Sequence, residues 1–179
     1  MKYIATLSDK DIFPNKEISP IKEWNLRKTV KIIIKNDEGK IALVTNPIHK
    51  CFLLPGGGVD GDEEIITAAN RESREEALCS ITNPEIFGTI EEYRARDGKR
   101  YETSGVFAHL KEMISEDLRT EDEKKNDLNV IWCTLKEAEE KFNNEEILLY
   151  EGKIDFYNTG FNIMRDHILF KNAKEKGLI

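Results

Sequence analysis

Residues 55–79 read PGGGVDGDEEIITAANRESREEALC, and they divide into a glycine loop and a carboxylate-rich helix. Gly56, Gly57 and Gly58 follow a short apolar run, Cys51 to Leu54. Glycine adopts backbone angles that other residues avoid and lets main chain approach a ligand closely. A strand, a glycine loop and then a helix is a common way to present backbone groups to phosphates or metals. No Gly-Lys-Ser/Thr follows, so this is not a Walker loop. The spacing predicts a helix over Asp62 to Cys79. Glu72, Glu75 and Glu76 stand at i, i+3 and i+4 and point to one side of it. Like charges so placed repel by roughly a few tenths of a kcal/mol per pair. A divalent cation turns that repulsion into attraction, and carboxylate oxygens suit magnesium or manganese. Ile66, Ala69, Ser73 and Ala77 form an inward face that the carboxylate stripe borders, with Arg71 and Arg74 supplying positive charge nearby. A solvated acidic helix with internal ion pairs would carry the same charges. The glycine loop directly upstream favours the metal reading.

Working outward, Lys28 to Lys35 (KTVKIIIK) is β-branched and reads as a strand. Asn36 to Gly39 is a turn signal, and Ile41 to Thr45 reads as the hairpin partner. Downstream, Glu85 to Ala95 and Tyr101 to Leu110 read as strands joined around Asp97-Gly98. Asn129 to Thr134 reads as a strand, Leu135 to Phe142 as a short helix, and Phe156 to Lys174 as a final helix. Phe13 to Glu23 and Ser115 to Asp127 read as loops. Strands and helices mix without regular βαβ alternation, which predicts an α+β fold, a three-layer sandwich rather than a doubly wound sheet. The expected organisation is one domain over 1–179, with 1–24 as an N-terminal extension that packs on its own domain or on a partner subunit.

The composition sets bounds. Hydrophobic residues make up 39% of 179, enough for one core. No apolar run approaches the roughly 20 residues that cross a bilayer. Met1 to Phe13 contains Asp9, Lys10 and Asp11 and does not read as a signal peptide, so a cytoplasmic location is expected. Cys51, Cys79 and Cys133 are far apart and odd in number, which predicts free, half-buried thiols. The net charge of −7 argues against a nucleic-acid partner, although an acidic chain still binds phosphates where metals screen the charge.

The segment from Gly57 to Cys79 resembles the Nudix box. Gly57 opens it, Glu63 is its first glutamate, Arg71-Glu72 the Arg-Glu pair and Glu75-Glu76 the Glu-Glu pair. Ser73 stands where the pattern has an aliphatic residue, and Leu78 replaces the final glycine, which in the pattern allows a left-handed helix end. The strands before the box, the stretch around Trp132 and the helix after it extend the resemblance over roughly residues 25–175. It implies a Nudix-type α/β/α sandwich around a mixed sheet.

The resemblance further implies a Mg2+ (or Mn2+) site built from Glu72, Glu75, Glu76 and the Gly56 carbonyl. Arg71 would orient the carboxylates and Glu63 would be structural. The implied reaction is hydrolysis of the diphosphate linkage of a nucleoside diphosphate joined to another moiety, with Glu75, Glu72 and Arg71 as catalytic residues. The general base would be a box glutamate or a later one, Glu121 or Glu123. A small nucleotide is the implied partner, and a homodimer is common in the family. The tail leans to the (oxidised) dNTP pyrophosphatases. The absence of proline after Pro84 weighs against the ADP-ribose class, which stays an alternative with the sugar-nucleotide pyrophosphatases. A non-catalytic nucleotide-binding module of this fold would be expected to lose box carboxylates. An isoprenoid-diphosphate isomerase has no specific support. An RNA 5′-end pyrophosphohydrolase would need a basic surface, for which Arg94, Arg96, Lys99 and Arg100 are the evident cluster. Trp24, Phe87, Tyr93 and Tyr101 are candidates for stacking on a base.

Overall fold

The β-branched run at Lys28–Lys35 lies within a longer central strand. A computed structural model describes residues 3–15, 21, 23–46, 51–115, 129–154 and 156–179. In chain order the strands are β1 (Tyr3–Ser8), β2 (Asn25–Lys35), β3 (Ile41–Asn46), β4 (Cys51–Leu53), β5 (Cys79–Arg94), β6 (Lys99–Met113) and β7 (Asn129–Cys133). The helices are α1 (Asp9–Ile12), α2 (Ile65–Glu75), α3 (Leu135–Tyr150) and α4 (Tyr157–Glu175). Among the described residues the strands make one mixed sheet, ordered β1-β5-β6-β2-β3-β4, with β7 also pairing with β3.

Helices cover both faces, so β2 is buried from Thr29 to Ile34. Val30, Ile32 and Ile34 enter a core with Ala68 and Ala69 of α2, whose small side chains let the helix lie close. Ile33 points the other way, into a core with Phe142 of α3 and Phe161, Leu169 and Phe170 of α4. Each such aliphatic side chain contributes about 1.5–3 kcal/mol by leaving water. This is the expected α+β class, an α/β/α sandwich.

Several elements depart from expectation, β5 among them, which begins at Cys79 and not Glu85. β3 meets β2 at a single pair, Lys35↔Ile41, because the edge of β2 facing it is taken by the glycine loop. Val30 N donates to Gly57 O, Ile32 N to Pro55 O, and Val59 N to Lys28 O. β3 ladders instead with β4 and β7. Helix α2 stops at Glu75, not Cys79, and Leu78 itself takes the left-handed conformation (φ 49) before Cys79 opens β5. A non-glycine residue there costs on the order of 1–2 kcal/mol. Its carbonyl accepts from Ile114 N, which fixes the turn. Helix α3 runs eight residues past Phe142, from a Thr134/Glu137 capping box.

β4 has an unusual edge. Phe52 N donates to Glu145 Oε1 of α3, and Leu54 N to Asp166 Oδ2 of α4 (2.9 Å). Two helix carboxylates thus take the place of a neighbouring strand. At the other sheet edge β1 runs parallel to β5, and Asp9 of α1 accepts from Tyr157 Oη (2.6 Å) and Ala95 N (2.9 Å). Among the described residues no helix is long and apolar enough to cross a membrane.

Candidate active site

The loop after β4 is pressed against β2 so closely that side chains would not fit. Gly56 has φ +129, and a Cβ there would collide with the Val30 carbonyl. A Cβ on Gly57 would lie 2.6 Å from Glu72 Oε1. The missing side chains are what let β2 on one side and α2 on the other reach the same backbone.

On the α2 side, Arg71 organises the carboxylates. Its Nη1 donates to Glu72 Oε1 (2.8 Å) and Glu75 Oε2 (3.0 Å), while Nε and Nη2 grip Glu63 (3.2 and 3.0 Å). Nη2 also donates to Gly58 O (2.8 Å), tying the helix to the loop. Glu76 Oε2 accepts from Gly56 N (2.6 Å). Glu63, held to Arg71 by these bonds, has its pKa lowered. Glu72 is 5% exposed, and burial raises its pKa against the opposing pull of Arg71 and Lys31.

The site residues read from the sequence are therefore gathered at one loop, but not yet as a ligand sphere. Among the described residues no three Asp, Glu, His or Cys side chains converge on one point at metal distance. Arg71 lies between Glu72 and Glu75, and Glu76 faces the Gly56 amide. Gly56 O, expected as a ligand, accepts from the Lys31 ammonium, which also donates to Leu54 O (2.8 Å). The donor set is all hard oxygen, and Glu72 is a desolvated carboxylate that a cation stabilises, so these residues fit a divalent ion. The family that the box resembles uses such ions.

The same loop lines a cleft of about 290 Å³ on the α4 side of the sheet. Its floor is Arg27, Thr29 and Lys31, alternate residues of β2. Its far wall is Asn158, Asn162 and Arg165, at i, i+4 and i+7 on α4, with Arg94 and Tyr101 from the β5–β6 hairpin. Arg94 donates to Glu92 Oε2, Asn158 Oδ1 and Asn162 Oδ1, each at 2.9 Å, and lies 4.2 Å over the Tyr101 ring. Arg165 donates to Asp166 Oδ1 (2.7 Å) and Asn162 Oδ1 (3.2 Å).

Sequence reasoning missed Lys31, Asn158, Asn162 and Arg165. The available signal was polar residues at one helical stripe, i, i+4 and i+7, and a lysine inside a β-branched strand. The suggested basic surface is not one: Arg94 is 3% exposed and faces the cleft, Arg100 pairs with Glu91 and Glu102, and Arg96 lies over Tyr157. Of the suggested stacking aromatics, Trp24 packs edge-on to Tyr93 and Phe87 joins the core; Tyr101 alone lines the cleft. The three cysteines are free and more deeply buried than expected. Burial pushes the thiols of Cys51 and Cys79 up to about 12. Ser73, at the aliphatic box position, is fully buried and its Oγ donates to Asn70 O (3.0 Å). Glu121 and Glu123 lie outside the described residues.

Comparison with known proteins gives a consistent family. The NUDIX domain matches residues 25–151. Among solved structures, the chain is similar to a NUDIX hydrolase from Nitrosomonas europaea (TM-score 0.56, 20% identity, 73% of this chain and 91% of that one). It is also similar to a mutator MutT protein from Bacillus halodurans (TM-score 0.52, 20% identity, 64% and 72%). At these identities the likeness is one of fold. No curated protein matches.

Proposed function

The chain belongs to the Nudix family and is a Nudix pyrophosphohydrolase, and from that premise we propose a magnesium-dependent enzyme that splits the diphosphate of a nucleotide, with an (oxidised) dNTP as the favoured class. The observation that carries this reading is the Glu72–Arg71–Glu75 cluster packed against a glycine loop that has room for Glu72 only because Gly57 lacks a Cβ.

Glu72, Glu75, Glu76 and the Gly56 carbonyl are the residues that would hold the cation. Bound there, it would polarise a phosphoryl oxygen and make water more acidic. Arg71 fixes the rotamers of two carboxylates at once and, through Gly58 O, sets their height relative to the loop. Glu75, whose side chain is 26% exposed against 7% for Glu72, is the carboxylate open to a water and is assigned to take its proton. The water oxygen attacks one phosphorus, and the bridging P–O bond breaks with its electron pair going to the leaving phosphate.

The test is phosphate and pyrophosphate release from dNTPs, oxidised dGTP, ADP-ribose and sugar nucleotides with magnesium, with Glu76→Gln as control. Turnover of one class, abolished in a folded Glu76→Gln protein, is expected. Undiminished magnesium-dependent turnover in that variant would remove the metal assignment.

A further inference from the structure

The side chains lining the cleft on the α4 side are rich in hydrogen-bond donors. An arginine has only N–H groups, so an asparagine bonded to one must turn its carbonyl toward it. Arg94 and Arg165 both bind Asn162 Oδ1, and Arg94 binds Asn158 Oδ1. The two Nδ2 amides are thereby turned from the arginines, on residues that line the cleft. The backbone acceptors nearby each already take one hydrogen bond. Gly56 O takes the Lys31 ammonium, Gly57 O takes Val30 N, and Gly58 O takes Arg71. Thr29 Oγ1 shares a hydrogen bond with Thr103 Oγ1 (2.7 Å).

Charge points the same way. The chain has 34 acidic against 27 basic residues, yet among the described residues the cleft is lined by Arg27, Lys31, Arg94 and Arg165 and by no carboxylate. Glu92 and Asp166, which pair with Arg94 and Arg165, are fully buried and are not part of the lining. They hold the guanidinium planes in place. Arg94 also keeps a buried Nε–H without a partner among the described residues. At about 290 Å³ the cleft is at the small end of ligand pockets, roughly 300–1,000 Å³, which suits a fragment rather than a whole nucleoside. The family match ends at residue 151, before α4, so Asn158, Asn162 and Arg165 lie outside it.

We propose that this cleft is a phosphate subsite, recognising a phosphate of the substrate outside the scissile bond and selecting substrates that carry one over those ending in a neutral sugar. It rests on the reading above, since it names the part of that substrate which α4 selects. Asn158 and Asn162 are specificity residues here, and Arg94 and Arg165 position them.

The experiment is calorimetric titration without divalent metal, in EDTA, using inorganic tripolyphosphate and, separately, neutral nucleosides. The proteins are wild type, Glu76→Gln, Asn158→Asp and Asn162→Asp. The aspartates keep shape and the oxygen that faces arginine, but replace a donor by a negative acceptor. Tripolyphosphate is expected to bind wild type and Glu76→Gln and to weaken at least about tenfold in each aspartate variant, as loss of a charge-assisted bond requires. No binding to wild type, equal binding to the aspartate variants, or preferential binding of a nucleoside that the variants weaken would each overturn the proposal. Because turnover is not read, a chain that hydrolyses nothing could still pass this test, and an active one could fail it.

Discussion

Replacing Glu145 by glutamine should make the protein more stable in alkali and leave it unchanged in mild acid. Glu145 is 4% exposed, accepts from Phe52 N through Oε1, and has an Oε2 with no partner among the described residues. Burial, and then the nearby Asp166 charge, outweigh that bond and Lys141 and raise the carboxyl from 4.5 to about 8. The folded state therefore holds this proton more tightly than the unfolded state. Its contribution to stability is present below about pH 4.5 and is lost as pH rises through about 8. A shift from 4.5 to about 8 corresponds to about 5 kcal/mol at 1.36 kcal/mol per unit. That is a ceiling, since opening the β4–α3 contact to water relieves any larger strain. Glutamine keeps the oxygen for Phe52 N and removes the titration. Thermal unfolding of both proteins at pH 4 and pH 9 should give matching midpoints at the lower pH. At the higher pH the variant should unfold up to roughly 10–20 °C above wild type. Parallel pH dependences in the two proteins would show that Glu145 is not held protonated by its surroundings, and would refute the account of the β4 edge.

Gly57→Ala should displace Glu72, because the new Cβ would sit 2.6 Å from Oε1; manganese affinity, read by electron paramagnetic resonance, and turnover should fall together. Cys51→Ser should leave turnover unchanged, and a thiol reagent at pH 8 should label none of the three buried cysteines quickly in the native protein. His167 is buried and stacked on Phe142, with its pKa lowered by burial and then by Lys171, against the opposing pull of Glu146. The neutral ring is thus the folded form, so stability should fall as pH drops below about 6.5, and less so in His167→Phe. Equal acid sensitivity in a folded His167→Phe protein would count against this.

The box and the sandwich were legible because each rests on local pattern. The stripe Glu72, Glu75, Glu76 is set by helical spacing, and the strand Lys28–Lys35 by its β-branched run. What sequence could not show depends on contacts between distant segments. The hairpin expected between β2 and β3 forms at one pair only, because Pro55–Val59, a loop by composition, occupies the edge of β2 beyond it. Helix α3 outran its expected end because Glu145 continues the buried stripe of Ala138, Phe142 and Leu149, and a carboxylate there reads as solvent-facing until Phe52 N is placed beside it. Arg94 was grouped with its neighbours in sequence, whereas its role follows from Glu92, Asn158 and Asn162. Local spacing found the carboxylates; the cleft needed the last helix.

That dependence on α4 gives the site a place in time. The carboxylates are complete at Glu76, but the far wall of the cleft and the Asp166 anchor for Leu54 N come about 90 residues later. At a translation rate of about 5–20 residues per second, that interval is roughly 5–20 seconds. During it a ribosome-bound chain carries its acidic helix without Asn158, Asn162 and Arg165. Selectivity would then arise in one late docking step, after the carboxylate helix is already made.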